Sequence, residues 1–139
     1  MADLEISTLD QAKRIAADAV GFLPDEMELM RRLEEIYVNP VLEFPPELNC
    51  DVLETLKGMR SRSLKIGLFC NIGRSSGKIL RELLQNFQVL DFFDATIFSD
   101  EVGWRKPDRR IFAAAADALG VEISSVVHIG ADRMVELSH

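Results

Sequence analysis

Three groups of residues with chemical potential each follow an apolar stretch in the second half of the chain. Cys70, Asn71 and Gly73 follow LKIGLF, Lys106 follows ATIFSDEVGWR, and Asp132 follows SVVHIGA. If these apolar stretches are parallel strands, their carboxyl ends share one edge of a sheet, outside which ligands bind. The sequence therefore predicts that the three groups converge on one site.

Each of these residues has a chemical interpretation and a structural alternative. Lys106 could hold a phosphate or carboxylate as a point charge, or it could be a solvated surface lysine. Asn71 and the backbone after Gly73 could bind an anion at a helix start, or they could simply form a turn. Cys70 is more simply a buried residue that ends a strand. Asp132 could ligate Mg²⁺, or it could cap a helix.

Other residues near these strand ends favour structural roles. His128 lies within an apolar stretch and is interpreted as a core histidine. Trp104 is expected to cover apolar surface or to line the rim of a pocket. The cluster Ser99–Asp100–Glu101 is most simply a solvated turn.

The elements that must position these residues alternate between strand and helix. A strand–helix–strand–helix–strand order at this spacing requires right-handed crossovers and a parallel sheet. We therefore predict an α/β fold with a three-layer, Rossmann-like parallel sheet. The predicted strands are Leu64–Phe69, Ala95–Phe98 and Val126–Ile129, with helices after Ser75–Ser76 and from Pro107–Asp108 to a stop at Gly120.

The first part of the chain has a different, helical pattern. Apolar residues recur at helical spacing, and three prolines then form a stiff connector. We predict a helical segment over residues 1–48 and an α/β core over residues 49–139. The expected elements are helices from Leu9 to Val20, capped by Ser7 or Thr8, and from Pro24 to about Tyr37, the connector Asn39–Asn49, and a helix over Val52–Met59.

The composition sets limits on the class of protein. The 139 residues carry a net charge of −7, which argues against a nucleic-acid partner because phosphate binding needs clustered cations. No apolar run approaches the length of about 20 residues that a membrane span requires. The two cysteines form no disulfide framework. These features favour a globular, cytoplasmic protein.

The segment SDEVGWRKPDRRIF (Ser99 to Phe112) resembles the third motif of the haloacid dehalogenase superfamily of hydrolases. In the same order and spacing, LKIGLFCNIG resembles the second motif and VVHIGADR the fourth. The resemblance covers about Asn49 to Arg133. The helices before Asn49 resemble part of the helical cap of such hydrolases.

This resemblance implies phosphoryl or related group transfer through a covalent aspartyl intermediate, usually with Mg²⁺. It assigns a catalytic role to Lys106 and contacts with a phosphorylated small molecule to Cys70, Asn71 and Gly73. Asp132 would be the remaining metal ligand. The substrate itself is not specified by these motifs.

Three departures from the family pattern bear on activity. No strand presents the Asp-x-Asp of the first motif, and Asp3–Leu4–Glu5 follows only two residues. Cys70 stands where the family has Ser or Thr, and Ala131 stands where it has an acidic ligand. The resemblance thus predicts a truncated hydrolase with little or no phosphatase activity. The alternatives are a non-catalytic anion-binding or interaction module and one fragment of a split hydrolase gene.

The missing first motif also affects the sheet. In the family, its strand lies between the strands of the second and fourth motifs. Without it, either Leu64–Phe69 pairs directly with Val126–Ile129, or a strand of a second copy fills the gap. We therefore expect a homodimer through the sheet edge.

Overall fold

A computed structural model describes residues 6–20 and 27–130 of the chain. The described elements alternate as expected for an α/β protein, with short 3₁₀ turns at Leu90–Phe92 and Ile123–Ser125. In chain order they are α1 (Thr8–Val20), α2 (Met27–Val38), α3 (Pro40–Glu43), α4 (Val52–Ser61), β1 (Gly67–Cys70), α5 (Gly77–Asn86), β2 (Ala95–Phe98), α6 (Ser99–Val102) and α7 (Arg109–Leu119).

The sheet of the described residues consists of β1 and β2, which run parallel. Gly67 is in register with Ala95, and Cys70 with Phe98. The β2 bounds match the prediction, whereas β1 is shorter and lies toward the C-terminal side of the predicted range. Before β1, the Asp94 carboxylate accepts a hydrogen bond from the Ile66 N–H at 2.7 Å. This contact aligns the two strands where they begin.

The predicted third strand is wrong. The segment Val126–Gly130 forms no ladder with β1 or β2, although Val126 has extended backbone angles. Val127 is 85% exposed and Ile129 is 78% exposed. Direct pairing of this segment with β1 is therefore also wrong. Apolar, β-branched residues favour an extended chain, but a strand forms only where a neighbouring backbone completes its hydrogen bonds.

Helices cover both faces of the two-stranded sheet. One cluster joins Ile66 to Leu56 of α4 and to Val89, and another joins Ile97 of β2 to Ile111 of α7. Because successive residues of a strand point to opposite faces, these clusters lie on opposite sides of the sheet. The layered α/β prediction is confirmed for this part of the chain.

Three helix ends follow the capping signals of the sequence. Asp108 accepts a hydrogen bond from the Arg110 N–H at 2.9 Å and so caps the start of α7. Gly120 ends that helix in the left-handed conformation, with φ of 62°. Ser7 accepts from the Asp10 N–H at 3.1 Å at the start of α1. The predictions for these ends are confirmed.

The helical segment is attached to the loop that follows β1. Tyr37 of α2 donates from its hydroxyl to Gln11 of α1 at 3.0 Å. Its carbonyl accepts from Arg74 Nε at 2.7 Å, and the carbonyl of Val38 accepts from the buried Ser75 hydroxyl at 2.9 Å. The position of α2 is thus coupled to the turn between β1 and α5.

The buried face of α1 differs from the prediction for the helical segment. Ala12 of α1 is buried, whereas Ile15 of its predicted apolar face is 52% exposed. The predicted start of the second helix at Pro24 lies outside the described residues, and the connector after α2 begins with the short α3. In the described part of the chain, every helix is too short or too polar to cross a membrane.

Candidate anion-binding site

Asn71 and Lys106 lie together at the carboxyl ends of the two strands, as the sequence predicts. The Asn71 Oδ1 accepts from the Lys106 N–H at 2.6 Å, and the Asn71 Nδ2 donates to the Lys106 carbonyl at 2.9 Å. The Lys106 ammonium lies 5.0 Å from the centre of the Phe69 ring. The Lys106–Pro107 peptide bond is cis. The lysine is half-buried and is held by its backbone at the end of β1.

A second set of contacts joins the same two loops. The Arg105 guanidinium donates to the Ile72 carbonyl at 3.1 Å. The Ile72 N–H donates to the Ser99 hydroxyl at 2.7 Å. Ile72 is 1% exposed and Ser99 is fully buried, so their hydrogen bond lies in the interior. The loop after β1 is therefore fixed both to the end of β2 and to the segment that carries Lys106.

Cys70 and Gly73 flank Asn71 but differ in their surroundings. Cys70 is the half-buried last residue of β1, and its thiol lies 3.3 Å from the Asn71 carbonyl. Gly73 is exposed, and a Cβ placed on it would meet no atom within 4 Å. Its φ is not in the left-handed region. The turn therefore does not require glycine at position 73 on steric or conformational grounds.

The start of α5, where the sequence suggested a bound anion, is held by a carboxylate of the protein itself. The Gly77 N–H donates to Asp100 Oδ2 at 3.0 Å. The other oxygen, Asp100 Oδ1, is buried and accepts no hydrogen bond in the structure. A carboxylate at a helix N-terminus satisfies its free N–H groups and its dipole. Asp100 therefore competes with any external anion at this helix.

The interpretation of Ser99–Asp100–Glu101 as a solvated turn is wrong. These residues begin the short α6, with Ser99 fully buried. Glu101 forms an ion pair with Arg81 of α5, and this hydrogen bond raises the pKa of Arg81. The sequence signal for this structural role is the position of the cluster directly after a buried strand. Polar side chains there commonly satisfy neighbouring backbone groups.

The described residues do not form a magnesium site. Within residues 6–20 and 27–130, no group of three or more His, Cys, Asp or Glu side chains is placed to hold a metal ion. Asp132, the predicted ligand, lies outside the described residues, as do Ala131 and the Asp3–Glu5 segment. Asp100 and Asp108, the carboxylates that flank the Lys106 loop, bind Gly77 and Arg110.

The aromatic residues of the site have packing roles, as expected. The His128 ring lies 4.6 Å from the Phe69 ring and 5.5 Å from that of Phe112. Trp104 packs against the cluster that contains Ile111, and the Arg110 guanidinium stacks over its ring. The prediction that Trp104 covers apolar surface is confirmed. His128 contacts these two rings but is only half-buried, between the exposed Val127 and Ile129, so it is not part of the buried core.

Arg110 also fixes the helix cap that follows Lys106. Its side chain and its backbone N–H both donate to Asp108, which lowers the pKa of Asp108 to about 2. The same hydrogen bonds raise the pKa of Arg110. The start of α7 thus keeps a charged cap beside the cis peptide bond, and this cap supports the conformation of the Lys106 loop.

A family model described as haloacid dehalogenase-like hydrolase matches residues 7–132. The chain belongs to the haloacid dehalogenase-like hydrolase family. The match includes the helical segment, α1 to α3, as well as the α/β core. Family membership and the layered parallel fold that the resemblance implied are thereby confirmed.

Relatives with assigned names agree with this family. The chain is 31% identical over 112 residues to haloacid dehalogenase-like hydrolase domain-containing protein 3 of Mus musculus, covering 78% of this chain and 41% of that protein. It is 34% identical over 86 residues to glyceraldehyde 3-phosphate phosphatase of Methanopyrus kandleri, covering 60% of this chain and 34% of that protein. A solved structure of a HAD phosphatase from Thermococcus onnurineus aligns with a TM-score of 0.48 at 19% identity, over 82% of this chain and 63% of that chain.

The chain spans less than half the length of these two named relatives.

Proposed function

We propose that this chain is a phosphate-binding part of a phosphatase-type hydrolase, in which Lys106 supplies the positive charge that meets a phosphoryl oxygen. The observation that carries the proposal is the double hydrogen bond from Asn71, which holds Lys106 at the carboxyl end of β1. An ammonium in this position attracts an anion as a point charge. The phosphatase names among the relatives support the same class of ligand.

The proposed ligand is a small phosphorylated molecule, of which the phosphoryl group is the recognised part. Lys106 would be the catalytic cation, and the loop Cys70–Gly73 would lie beside the bound group. Cys70 offers a thiol, which is a weaker hydrogen-bond donor than the hydroxyl of Ser or Thr. We therefore expect weak phosphate binding, with most of the affinity supplied by Lys106.

We further propose that the chain alone has little or no phosphatase activity. Covalent catalysis needs an activated nucleophile, and charge stabilisation by Lys106 does not replace it. Asp100 and Asp108 are engaged with Gly77 and Arg110, so neither is placed to attack a phosphoryl group bound at Lys106. Binding without turnover is the expected behaviour.

The first experiment measures binding of inorganic phosphate by calorimetry. We expect the affinity to fall by about tenfold or more in Lys106→Ala, because a charged hydrogen bond is lost. Lys57→Ala is the matched control, since Lys57 is an exposed lysine of α4 whose loss changes the net charge equally. Equal affinity in the wild type and Lys106→Ala would refute the proposed role of the lysine.

A second experiment measures hydrolysis of p-nitrophenyl phosphate with and without Mg²⁺. We expect no turnover above that of buffer. Robust Mg²⁺-dependent hydrolysis that disappears in Lys106→Ala would overturn the proposal of an inactive chain and would establish an enzyme.

A second candidate function is a non-catalytic anion-binding or interaction module. This candidate is favoured by Cys70, which stands where the family motif has the hydroxyl of Ser or Thr. A phosphorylated metabolite that raises the melting temperature without turnover would support this candidate. If a polypeptide encoded upstream restored hydrolysis on mixing, the chain would instead be one fragment of a split hydrolase.

A further inference from the structure

Asn71 makes a two-point contact with a single residue of another loop. Its amide oxygen accepts the Lys106 N–H at 2.6 Å and its amide nitrogen donates to the Lys106 carbonyl at 2.9 Å. Both distances are within the range of well-formed hydrogen bonds. Two contacts to one residue fix its orientation as well as its position.

The carboxamide is required for this contact. An Asp side chain could accept the Lys106 N–H but has no donor for the Lys106 carbonyl, and an Ala side chain offers neither group. The asparagine at position 71 is thus explained by its pairing with both the N–H and the carbonyl of Lys106.

Lys106 needs such a tether because the sheet does not position it. β2 ends at Phe98, and the chain then passes through α6 and the left-handed Gly103 before it reaches Lys106. Loops of this length follow the scaffold only where contacts hold them. Arg105 adds one contact, to the Ile72 carbonyl at 3.1 Å. The Asn71 amide supplies two contacts that act on the Lys106 backbone itself.

We infer that Asn71 is a positioning residue, whose amide holds the Lys106 backbone so that the ammonium stays over Phe69 at the end of β1. This assignment rests on the proposed anion-binding role of Lys106 and replaces the direct phosphate contact that the sequence suggested for Asn71. The amide oxygen is committed to Lys106, and the amide orientation is set by the same residue. Asn71 acts on the anion through the lysine.

The experiment compares acetylation of individual lysines by mass spectrometry, with and without inorganic phosphate. The exposed Lys57 and Lys78 serve as internal references in every sample. Without phosphate, we expect the Lys106 rate relative to these references to rise by about fivefold in Asn71→Ala, since two hydrogen bonds that hold the lysine are lost. With phosphate, we expect the protection of Lys106 seen in the wild type to be lost in this variant.

Arg60→Ala is the matched control for loss of stability. It removes the ion pair with Asp94, 2.8 Å in length, near the other end of the strands, and leaves Asn71 and Lys106 untouched. We expect this variant to melt at a lower temperature while it keeps the wild-type Lys106 rate and phosphate protection. Asn71→Asp keeps the acceptor and loses the donor, so an intermediate rate is expected even if Asn71→Ala does not fold.

The outcomes separate the two proposals. A wild-type Lys106 rate in both Asn71→Ala and Asn71→Asp would overturn the positioning role. The absence of phosphate protection in the wild type would refute the proposed binding site. In that case the phosphate-free rates still decide whether Asn71 positions the lysine.

Discussion

Two regions of the core have similar sequences but different structures. ATIF is followed by polar residues and forms β2, paired with β1 and joined through its loop to Asn71. VVHI is also followed by a polar segment, but it forms no ladder and leaves Val127 and Ile129 exposed. An apolar, β-branched stretch is therefore insufficient for a strand here. The difference is that β2 completes its backbone hydrogen bonds with β1, whereas Val126–Gly130 forms no ladder with either described strand.

The largest expected contrast is in core stability. Ile111 of α7 is fully buried, whereas Ile129 is 78% exposed. We expect Ile111→Ala to lower the free energy of unfolding by about 2–5 kcal/mol. The same substitution at Ile129 should change it by less than about 0.5 kcal/mol. Urea denaturation of both variants measures the difference. Equal losses would show that Val126–Gly130 is packed in solution.

A smaller effect on stability is expected from removing the Ser99 hydroxyl, which joins the end of β2 to the loop after β1. Ser99→Ala leaves the buried Ile72 N–H without its acceptor, which should cost about 1–3 kcal/mol of unfolding free energy. Ser124→Ala, at an exposed serine outside the sheet, is the control and should be neutral. Calorimetric melting of the two variants tests this. A neutral Ser99→Ala would mean that water or another group replaces the hydroxyl.

The unpaired region has a predicted consequence for assembly. We propose that a second copy adds to the edge of β1 that β2 does not cover and packs on Val127 and Ile129, because a strand edge beside exposed apolar side chains favours strand addition. Light scattering should then give a mass near twice 15.6 kDa for the wild type and near 15.6 kDa for Val127→Lys. Ile123→Lys, at a 55% exposed site outside the segment, should still dimerise. A wild-type monomer at micromolar concentration would contradict the proposal.

The smallest expected effect is on acid stability near the Lys106 loop. The pKa of Asp108 is lowered from 3.8 to about 2 in the folded chain, chiefly by hydrogen bonds from Arg110. Its stabilising contribution is therefore present above 3.8 and is lost as the pH falls toward 2. The melting temperature of Asp108→Asn should fall less steeply over this range than that of the wild type.

Two comparisons separate the effect of Asp108 on the pH dependence from the effects of other carboxylates. The pKa of Asp94 is also lowered, by the Ile66 N–H and then by Arg60, so some acid sensitivity should persist in Asp108→Asn. Asp117→Asn removes one carboxylate from the same helix without touching Arg110 and controls for net charge. Identical slopes for the wild type and Asp108→Asn would contradict the assigned cap.

Several parts of the fold and site were predictable from sequence because the signals are local. Asp108 and Gly120 mark the two ends of α7, since the first caps free N–H groups and the second adopts a positive φ without strain. Ala95–Phe98 was predicted with its observed bounds. The sequence predicted that the loops carrying Asn71 and Lys106 share one edge of the sheet, because parallel strands end on the same side.

Other parts depended on contacts between distant segments. Three sets of hydrogen bonds join residues 23 to 35 positions apart. They link Ser99 to Ile72, the Asp100 carboxylate to Gly77 at the start of α5, and Asn71 to Lys106. No periodicity or capping rule specifies which polar side chain satisfies which buried backbone group. These partners are selected by the packing of β1 against β2.

The sequence by itself determined the family, the α/β order, the ends of α7 and the placement of Lys106 at one sheet edge. The tertiary structure decided that the Asn71 amide hydrogen-bonds to the Lys106 backbone and that Val126–Gly130 forms no ladder with the two described strands. The physical reason is the same in both cases. Local patterns set the conformation of a segment, whereas hydrogen bonds and burial require a partner that only the folded chain can supply.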